Sequence, residues 1–242
     1  MNLIDCEIKS KEYVNGNHFI LGLYSPEISK SCTPGQFVNI KCSKFLRRPI
    51  SICDVDIINN IFYVGIRVKG EGTRYIKERK KGDYLSVLGP LGNGFKLYPD
   101  RKCIVVGGGI GVFPLMFLLR EAKQKNIPTI AICGYKTSGE SFCLNTLKSL
   151  SDNIIFASEC GDMDVCGNAV DALREVDLEN SAIYTCGPNP MMKHVSLVAK
   201  TYNIPCQVSL EERMGCGTGV CLVCACKTKS DIVGEYEYKR CC

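Results

Sequence analysis

The chain has 242 residues, 45% of them hydrophobic and 23% charged, with a net charge of +5. That length suits two domains and a short appendage, and so small a charge gives no ground for a nucleic-acid partner. No apolar run reaches the length of a membrane span, and the opening MNLIDCEIKS holds an acid and lacks the apolar core of a signal peptide, so no membrane attachment and a cytoplasmic location are expected.

Residues 1–98 read as short β-strands separated by turns. Apolar stretches occur at 17–24 (NHFILGLY), 36–41, 49–53, 61–67 and 84–89, with Pro34–Gly35, Asn59–Asn60 and Gly89–Pro90 between them. Such spacing predicts a small antiparallel barrel, with one short helix starting after Gly72–Thr73. Within it, LRRPISI puts Arg48 three residues before Ser51 on a strand, a pattern able to meet a phosphate and a ring edge; from spacing alone an ordinary edge strand carrying Pro49 is the better-supported reading. In GIRVKGEGT, residues Arg67, Gly72 and Thr73 offer a second set of diphosphate contacts at a helix start. The basic cluster Lys77–Lys81 reads as a solvated helix end.

From Arg101 the pattern changes. KCIVVGGGIGVFPLMFLLREAKQKN gives a buried strand, a glycine turn at 107–111 and a helix at about 112–125, and TIAICGY gives the next strand. This is a dinucleotide-binding unit, whose glycines let the backbone approach a pyrophosphate. Gly107 and Gly109 fit the G-x-G-x-x-G pattern, Gly108 and Gly111 lie in the same turn, and the third patterned position is Val112. Strand 153–158, helix 166–176, and strand–turn–helix 181–200 continue the alternation, which predicts a doubly wound parallel sheet. Cys186, Gly187 and Pro188 stand at the carboxyl end of a strand, where such sheets bind ligands. After the second strand, GYKTSGES holds Lys136 and no arginine, so NAD is expected rather than NADP.

The chain has 17 cysteines, and many sit singly inside apolar strands, where a thiol behaves as a small buried hydrophobe. Cys216, Cys221 and Cys224 are different. Their C-x4-C-x2-C spacing is that of a plant-type 2Fe–2S loop, and Gly215, Gly217 and Gly219 give the backbone freedom to aim N–H groups at sulfur. A fourth thiol is available at Cys241 or Cys242, at the end of a strand-like tail, IVGEYEYK. A zinc site would need Cys241–Cys242 as its second pair, a poor spacing, and disulfides would need an oxidising compartment. Cys226 fits no ligand spacing and reads as packing or as a neighbour of the ligands. Two histidines and no tryptophan leave little material for proton transfer by histidine, which electron and hydride transfer do not need.

RPIS at 48–51, GGGIGVFPL at 107–115 with CGPNPMM at 186–192, and the run LEERMGCGTGVCLVCACK with its terminal YKRCC stand in a fixed order. Together they resemble the ferredoxin–NADP reductase superfamily, most of all its electron-transfer subunits of NAD-linked dihydroorotate dehydrogenases, over essentially the whole chain. The resemblance implies a β barrel plus α/β fold: an antiparallel FAD-binding barrel (1–98), a doubly wound parallel NAD-binding domain (99–205) and a small 2Fe–2S domain (206–242). It implies flavin contacts at Arg48, Pro49, Ile50, Ser51, Gly65, Ile66, Arg67, Gly72 and Thr73, and cluster ligands at Cys216, Cys221 and Cys224. The family's K-R-x-C pattern puts the fourth ligand at Cys242. Where this chain has Cys241, the family commonly has an apolar residue. The implied activity is that of a flavin/iron–sulfur oxidoreductase subunit. It would take electrons from an FMN-containing dihydroorotate dehydrogenase catalytic subunit, in a heterotetramer of two plus two, and pass them through 2Fe–2S and FAD to NAD+ in pyrimidine (UMP) biosynthesis. The alternatives are a subunit of another flavin/iron–sulfur NAD(P)H oxidoreductase, of ferredoxin–NADP reductase or sulfide dehydrogenase type, and a zinc-stabilised binding module.

Overall fold

The computed structural model describes residues 2–229 and 235–242. Six strands form the N-terminal part: β1 (Asn2–Asn15), β2 (His18–Tyr24), β3 (Phe37–Ile40), β4 (Arg48–Asp56), β5 (Ile61–Arg67) and β6 (Tyr84–Leu91). They close into an antiparallel barrel in the order β1-β2-β5-β4-β3-β6. Alternate residues point inward because side chains on a strand repeat every two positions. Phe19, Leu21 and Leu23 of β2 meet Phe62, Val64 and Ile66 of β5 in one fully buried core. Closure leaves no edge, so β4 lies between β3 and β5 rather than at a margin.

Two elements here are absent from the sequence reading. β1 escapes a period-two reading because its register shifts between Ile8 and Ser10 and again between Tyr13 and Asn15, which breaks its alternation. Helix α1 (Pro26–Ser31) is only six residues long. It starts where the Ser25 hydroxyl accepts from Ile28 N at 3.2 Å, with Pro26 at the first helical position. Helix α2 (Glu71–Glu78) begins earlier than expected. The Thr73 hydroxyl reaches back to accept from Lys69 N (3.0 Å) and Gly70 N (3.1 Å), so Thr73 caps the helix from within its first turn.

The second part is a six-stranded, wholly parallel sheet in the order β10-β9-β8-β7-β11-β12. Its strands are β7 (Lys102–Gly108), β8 (Thr129–Tyr135), β9 (Asn153–Ser158), β10 (Val165–Cys166), β11 (Ser181–Cys186) and β12 (Cys206–Ser209). Helices α3 (Val112–Gln124) and α4 (Leu144–Leu150) pack on one face, and α5 (Ala169–Leu173) and α6 (Asn189–Thr201) on the other. A sheet covered on both sides favours apolar residues along its strands, which makes β7, β8, β9 and β11 readable from sequence, while the short and less buried β10 and β12 are not. Cys103, Cys133 and Cys186 fill such positions, and burial pushes each thiol up to about 12. The helix expected over 166–176 shrinks to α5, because Val165 and Cys166 pair with β9 and Asn168 caps the helix by accepting from Val170 N. β12 joins the sheet beside β11, so the division expected at 205/206 falls at the first residue of a sheet strand.

Barrel and sheet are clamped together. Arg120 of α3 donates Nε to Asp54 Oδ1 (2.5 Å) and Nη2 to Oδ2 (2.6 Å), a two-pronged pair across the junction. Phe113 lies so close over Gly65 that any Cβ there would overlap its ring. Last, β13 (Ala225–Lys229) and β14 (Tyr236–Arg240) form an antiparallel pair. Of the strand expected in the tail, Ile232, Val233 and Gly234 lie outside the described residues. Among the described residues no helix is long and apolar enough to cross a membrane.

Candidate functional site

The segment after β12 folds back over the barrel, and there the cysteines gather. Thr218 N (3.3 Å) and Cys221 N (3.4 Å) donate to Cys216 Sγ, and Cys216 N donates to Cys221 Sγ (3.3 Å). Gly219 N donates to Cys242 Sγ at 3.1 Å, and Cys242 Sγ lies 3.1 Å from Cys224 Sγ. Arg240 Nη1 holds the loop by donating to Gly219 O at 2.8 Å. N–H groups aimed at sulfur favour the thiolate. The Thr218 hydroxyl, and after it the N–H groups of Cys221 and Thr218, hold the Cys216 thiol down at about 5. Cys241 faces elsewhere: its Sγ is 3.2 Å from Cys226 Sγ, and its N donates to Cys224 O at 3.2 Å. The loop thus offers its sulfurs as two pairs, Cys216 with Cys221 and Cys224 with Cys242, with backbone N–H groups donating to them, and all-thiol donors are the chemistry that suits an iron–sulfur cluster. The two remaining thiols, Cys226 and Cys241, pair with each other.

Against this loop lies a cavity of about 520 Å³, within the range of ligand pockets. Pro49, Ile50, Ser51 and Gly65 form its barrel wall, Phe113 and Pro114 its sheet-side wall, and Cys241 closes it from the cysteine segment. One wall therefore belongs to each of the three parts of the chain. Arg48 does not line the cavity. Its Nη2 donates to Leu46 O at 3.1 Å, while its Nε is buried without a partner. The bare Cα of Gly72 admits it: a Cβ there would stand 2.7 Å from Arg48 Nε and 3.0 Å from Cys42 Sγ. An unanswered guanidinium N–H at a helix start is what an anionic phosphate would satisfy. A ring in the cavity with its phosphates at Arg48 and α2 therefore fits FAD. Thr73 spends its hydroxyl on the helix cap. Ile66 is packed in the barrel core, so only its backbone is on offer, and Arg67 is exposed at the end of β5.

The glycine turn sits at the carboxyl edge of the parallel sheet. Gly107 and Gly108 end β7, Gly109 takes φ +52°, and Gly111 abuts the Cys186 carbonyl and Gly187 so tightly that no side chain could be added. The turns after β7 and β11 are thus pressed into one surface, with Pro188 exposed beside them. The loops after β8 and β9 meet each other at the same edge of the sheet, where Ser138 N and Oγ donate to Asp162 Oδ2 at 3.0 and 2.7 Å. These bonds, led by the hydroxyls of Ser158 and Ser138, hold the Asp162 carboxyl down at about 2. A fixed anion at this edge suits NAD and would repel a 2′-phosphate. Sequence reasoning missed Asp162, and it also missed Arg47, which ties β3 to β6. Only the neighbouring RRP run marked Arg47 out.

Residues 211–242 match the model of the iron-sulfur cluster binding domain of dihydroorotate dehydrogenase B. The chain is 36% identical over 211 residues to the electron transfer subunit of dihydroorotate dehydrogenase B (NAD(+)) from Caldanaerobacter subterraneus, covering 86% of this chain and 82% of that one. It is 34% identical to the Desulforamulus reducens subunit of the same description, covering 99% and 94%. Among solved structures, an NADH-dependent reduced ferredoxin-NADP oxidoreductase superposes with a TM-score of 0.85 at 28% identity, covering 98% of this chain and 86% of that one. The ferredoxin reductase of a carbazole 1,9a-dioxygenase shares the fold, with a TM-score of 0.74 at 19% identity over 86% of this chain and 68% of that one.

Proposed function

The chain belongs to the family of electron transfer subunits of dihydroorotate dehydrogenase B (NAD(+)), and from that membership we propose the route its electrons take: from the FMN of a catalytic subunit, by a 2Fe–2S cluster and FAD, to NAD+. The observation that carries this reading is the shared wall. One cavity is bounded by Ser51 of the barrel, Phe113 of the sheet and Cys241 of the cysteine segment, so groups held by the three parts would lie side by side. A bound flavin would supply the exchange between single electrons and a hydride pair. What the protein supplies is position and charge.

Arg48 and the start of α2 would hold the FAD diphosphate, with Pro49, Ile50, Ser51 and Gly65 along the ring. Gly107, Gly108, Gly109 and Gly111, with Cys186, Gly187 and Pro188, would form the NAD surface. Cys216, Cys221, Cys224 and Cys242 would hold the cluster. The division of labour follows: residues 1–98 for FAD and 99–205 for NAD, while 206–242 lend β12 to the sheet before turning to the cluster. The partner is an FMN-containing dihydroorotate dehydrogenase, in a complex of two catalytic and two of these subunits. All 17 cysteines are free, which suits a reducing cytoplasm.

The test is a pair of assays on anaerobically purified protein. Alone, the chain should carry about one flavin and two irons and reduce artificial dyes with NADH, yet leave dihydroorotate untouched. With the catalytic subunit added, dihydroorotate oxidation should couple to NAD+ reduction. Turnover of dihydroorotate by the chain alone, or failure to associate with that subunit, would refute the reading.

A further inference from the structure

Asn39 is an anomaly of the barrel. It sits on β3 between Val38 and Ile40 and is 1% exposed, and an amide so buried is normally fully hydrogen-bonded. Its Oδ1 has no partner. Its Nδ2 donates to Cys216 O at 3.4 Å, across 177 positions of sequence. The residue after that carbonyl, Gly217, takes φ +73° and rests directly on the Asn39 amide, so closely that a Cβ at 217 would overlap Nδ2. Below, the Arg47 guanidinium donates to Asn39 O (3.3 Å), to Ser86 O (2.8 Å) and to Ser86 Oγ (3.1 Å), fastening β3 to β6 at this point. On its other side Asn39 is paired with Pro49, which lines the cavity. One side chain therefore connects the first cysteine of the loop to the strand pair that walls the cavity.

An apolar residue would fill this position without leaving an unanswered oxygen in the core. What only an amide can do here is orient the Cys216–Gly217 peptide. The next two N–H groups in the chain, of Thr218 and Gly219, are those aimed at Cys216 Sγ and Cys242 Sγ. Resting on the reading of a flavin cavity and a cluster loop, we propose that Asn39 is a positioning residue for electron transfer: it fixes the loop's height over β3 and the direction of its N–H groups, and so sets both the separation from the flavin wall and the electronic environment of the sulfurs. Gly217 is the matching feature on the loop.

The test compares the wild-type chain with Asn39→Leu, which keeps the volume and loses the donor, and with Gly217→Ala, which pushes the loop from the other side. Iron and flavin contents are counted, the reduced-cluster EPR spectrum is recorded, and NADH is mixed anaerobically in a stopped-flow instrument to follow flavin and cluster absorbance separately. In Asn39→Leu, flavin and iron should stay at wild-type levels and flavin bleaching at its wild-type rate. Cluster reduction should slow several-fold, because single-electron transfer weakens as the gap between flavin and cluster widens. The EPR g-values should shift in both variants. Wild-type cluster reduction and g-values in a fully loaded Asn39→Leu would overturn the inference, as would loss of iron from that variant, which would mark Asn39 as structural only. A wild-type chain that takes up no iron would overturn the cluster reading itself, and the inference with it.

Discussion

The candidate ligand-holding groups of this chain differ in how openly the sequence declares them. Arg48 stands out in the sequence because RPIS is a compact motif, and in the structure its Nε has no partner beside the bare Gly72. Restoring one charge-assisted bond of this kind is worth roughly 1.5–3 kcal/mol. Arg48→Ala should therefore weaken FAD binding about tenfold to a hundredfold, measured by flavin titration of the apoprotein, with little change in barrel melting; an unchanged Kd would remove Arg48 from the site. Cys241 and Cys242 were not separable from spacing, since either could reach a loop. Their sulfurs now have different company, Cys226 for one and Cys224 for the other. Cys242→Ala should lose the reduced-cluster EPR signal while Cys241→Ala keeps it; the opposite pattern would make Cys241 the ligand. Asn39 and Asp162 were illegible for a common reason. Asn39 reaches Cys216 across 177 positions and Asp162 reaches Ser138 across 24, and nothing in their immediate neighbours reports either contact.

Among the elements, legibility followed how completely each is buried. β7, β8 and β11 are largely apolar and almost wholly buried because helices cover both faces, whereas β1, half in water and bulged twice, reads as a charged stretch. The joint between barrel and sheet was not visible at all, because it is made by single residues from distant elements. At that joint the His18 ring stacks on Phe142 at 4.7 Å, near Phe113, with Nε2 buried and unpartnered. Burial, and after it the charge of Arg67, lowers the His18 pKa, with Glu140 opposing. A depressed folded pKa means the neutral ring is preferred. Its contribution is intact above the unfolded value of about 6.5 and is lost as pH falls through the lower folded value. His18→Phe keeps the stack and cannot take a proton. Melting temperature measured from pH 7 to pH 5 should thus fall more steeply for the wild type than for His18→Phe, and parallel curves would show that His18 plays no part. The same separateness of parts predicts that Cys216→Ser, Cys221→Ser and Cys224→Ser each lose iron and keep flavin. Loss of flavin in all three would contradict the division between barrel and loop.

For the whole molecule, the question is where electrons enter. Among the described residues a second hollow is lined by Tyr13, Val14, Ile20, Cys53 and Met116 among others, with no histidine. On the route proposed above, electrons arrive from a catalytic subunit through the loop that carries the cysteines. That loop is built like an interface: Val220, Leu222 and Val223 are 80%, 60% and 59% exposed, interleaved with Cys221 and Cys224, and Leu222 is held in the left-handed region at φ +59°. Apolar side chains exposed together and kept in a strained turn are costly for a free chain and useful to one that docks. Val220→Asp would put a carboxylate into the dry centre of such a contact, which weakens hot-spot positions by about 2 kcal/mol or more, or upwards of roughly thirtyfold in Kd. Because Val220 is so exposed, the variant should keep its iron, flavin and NADH–dye activity while titration calorimetry shows the loss of affinity for the catalytic subunit and coupled NAD+ reduction falls with it. Ile58→Asp, on the turn between β4 and β5 and 91% exposed, is the control that should bind normally. Equal affinities for wild type and Val220→Asp would mean that the catalytic subunit docks elsewhere and that the loop's exposed apolar rim needs another explanation.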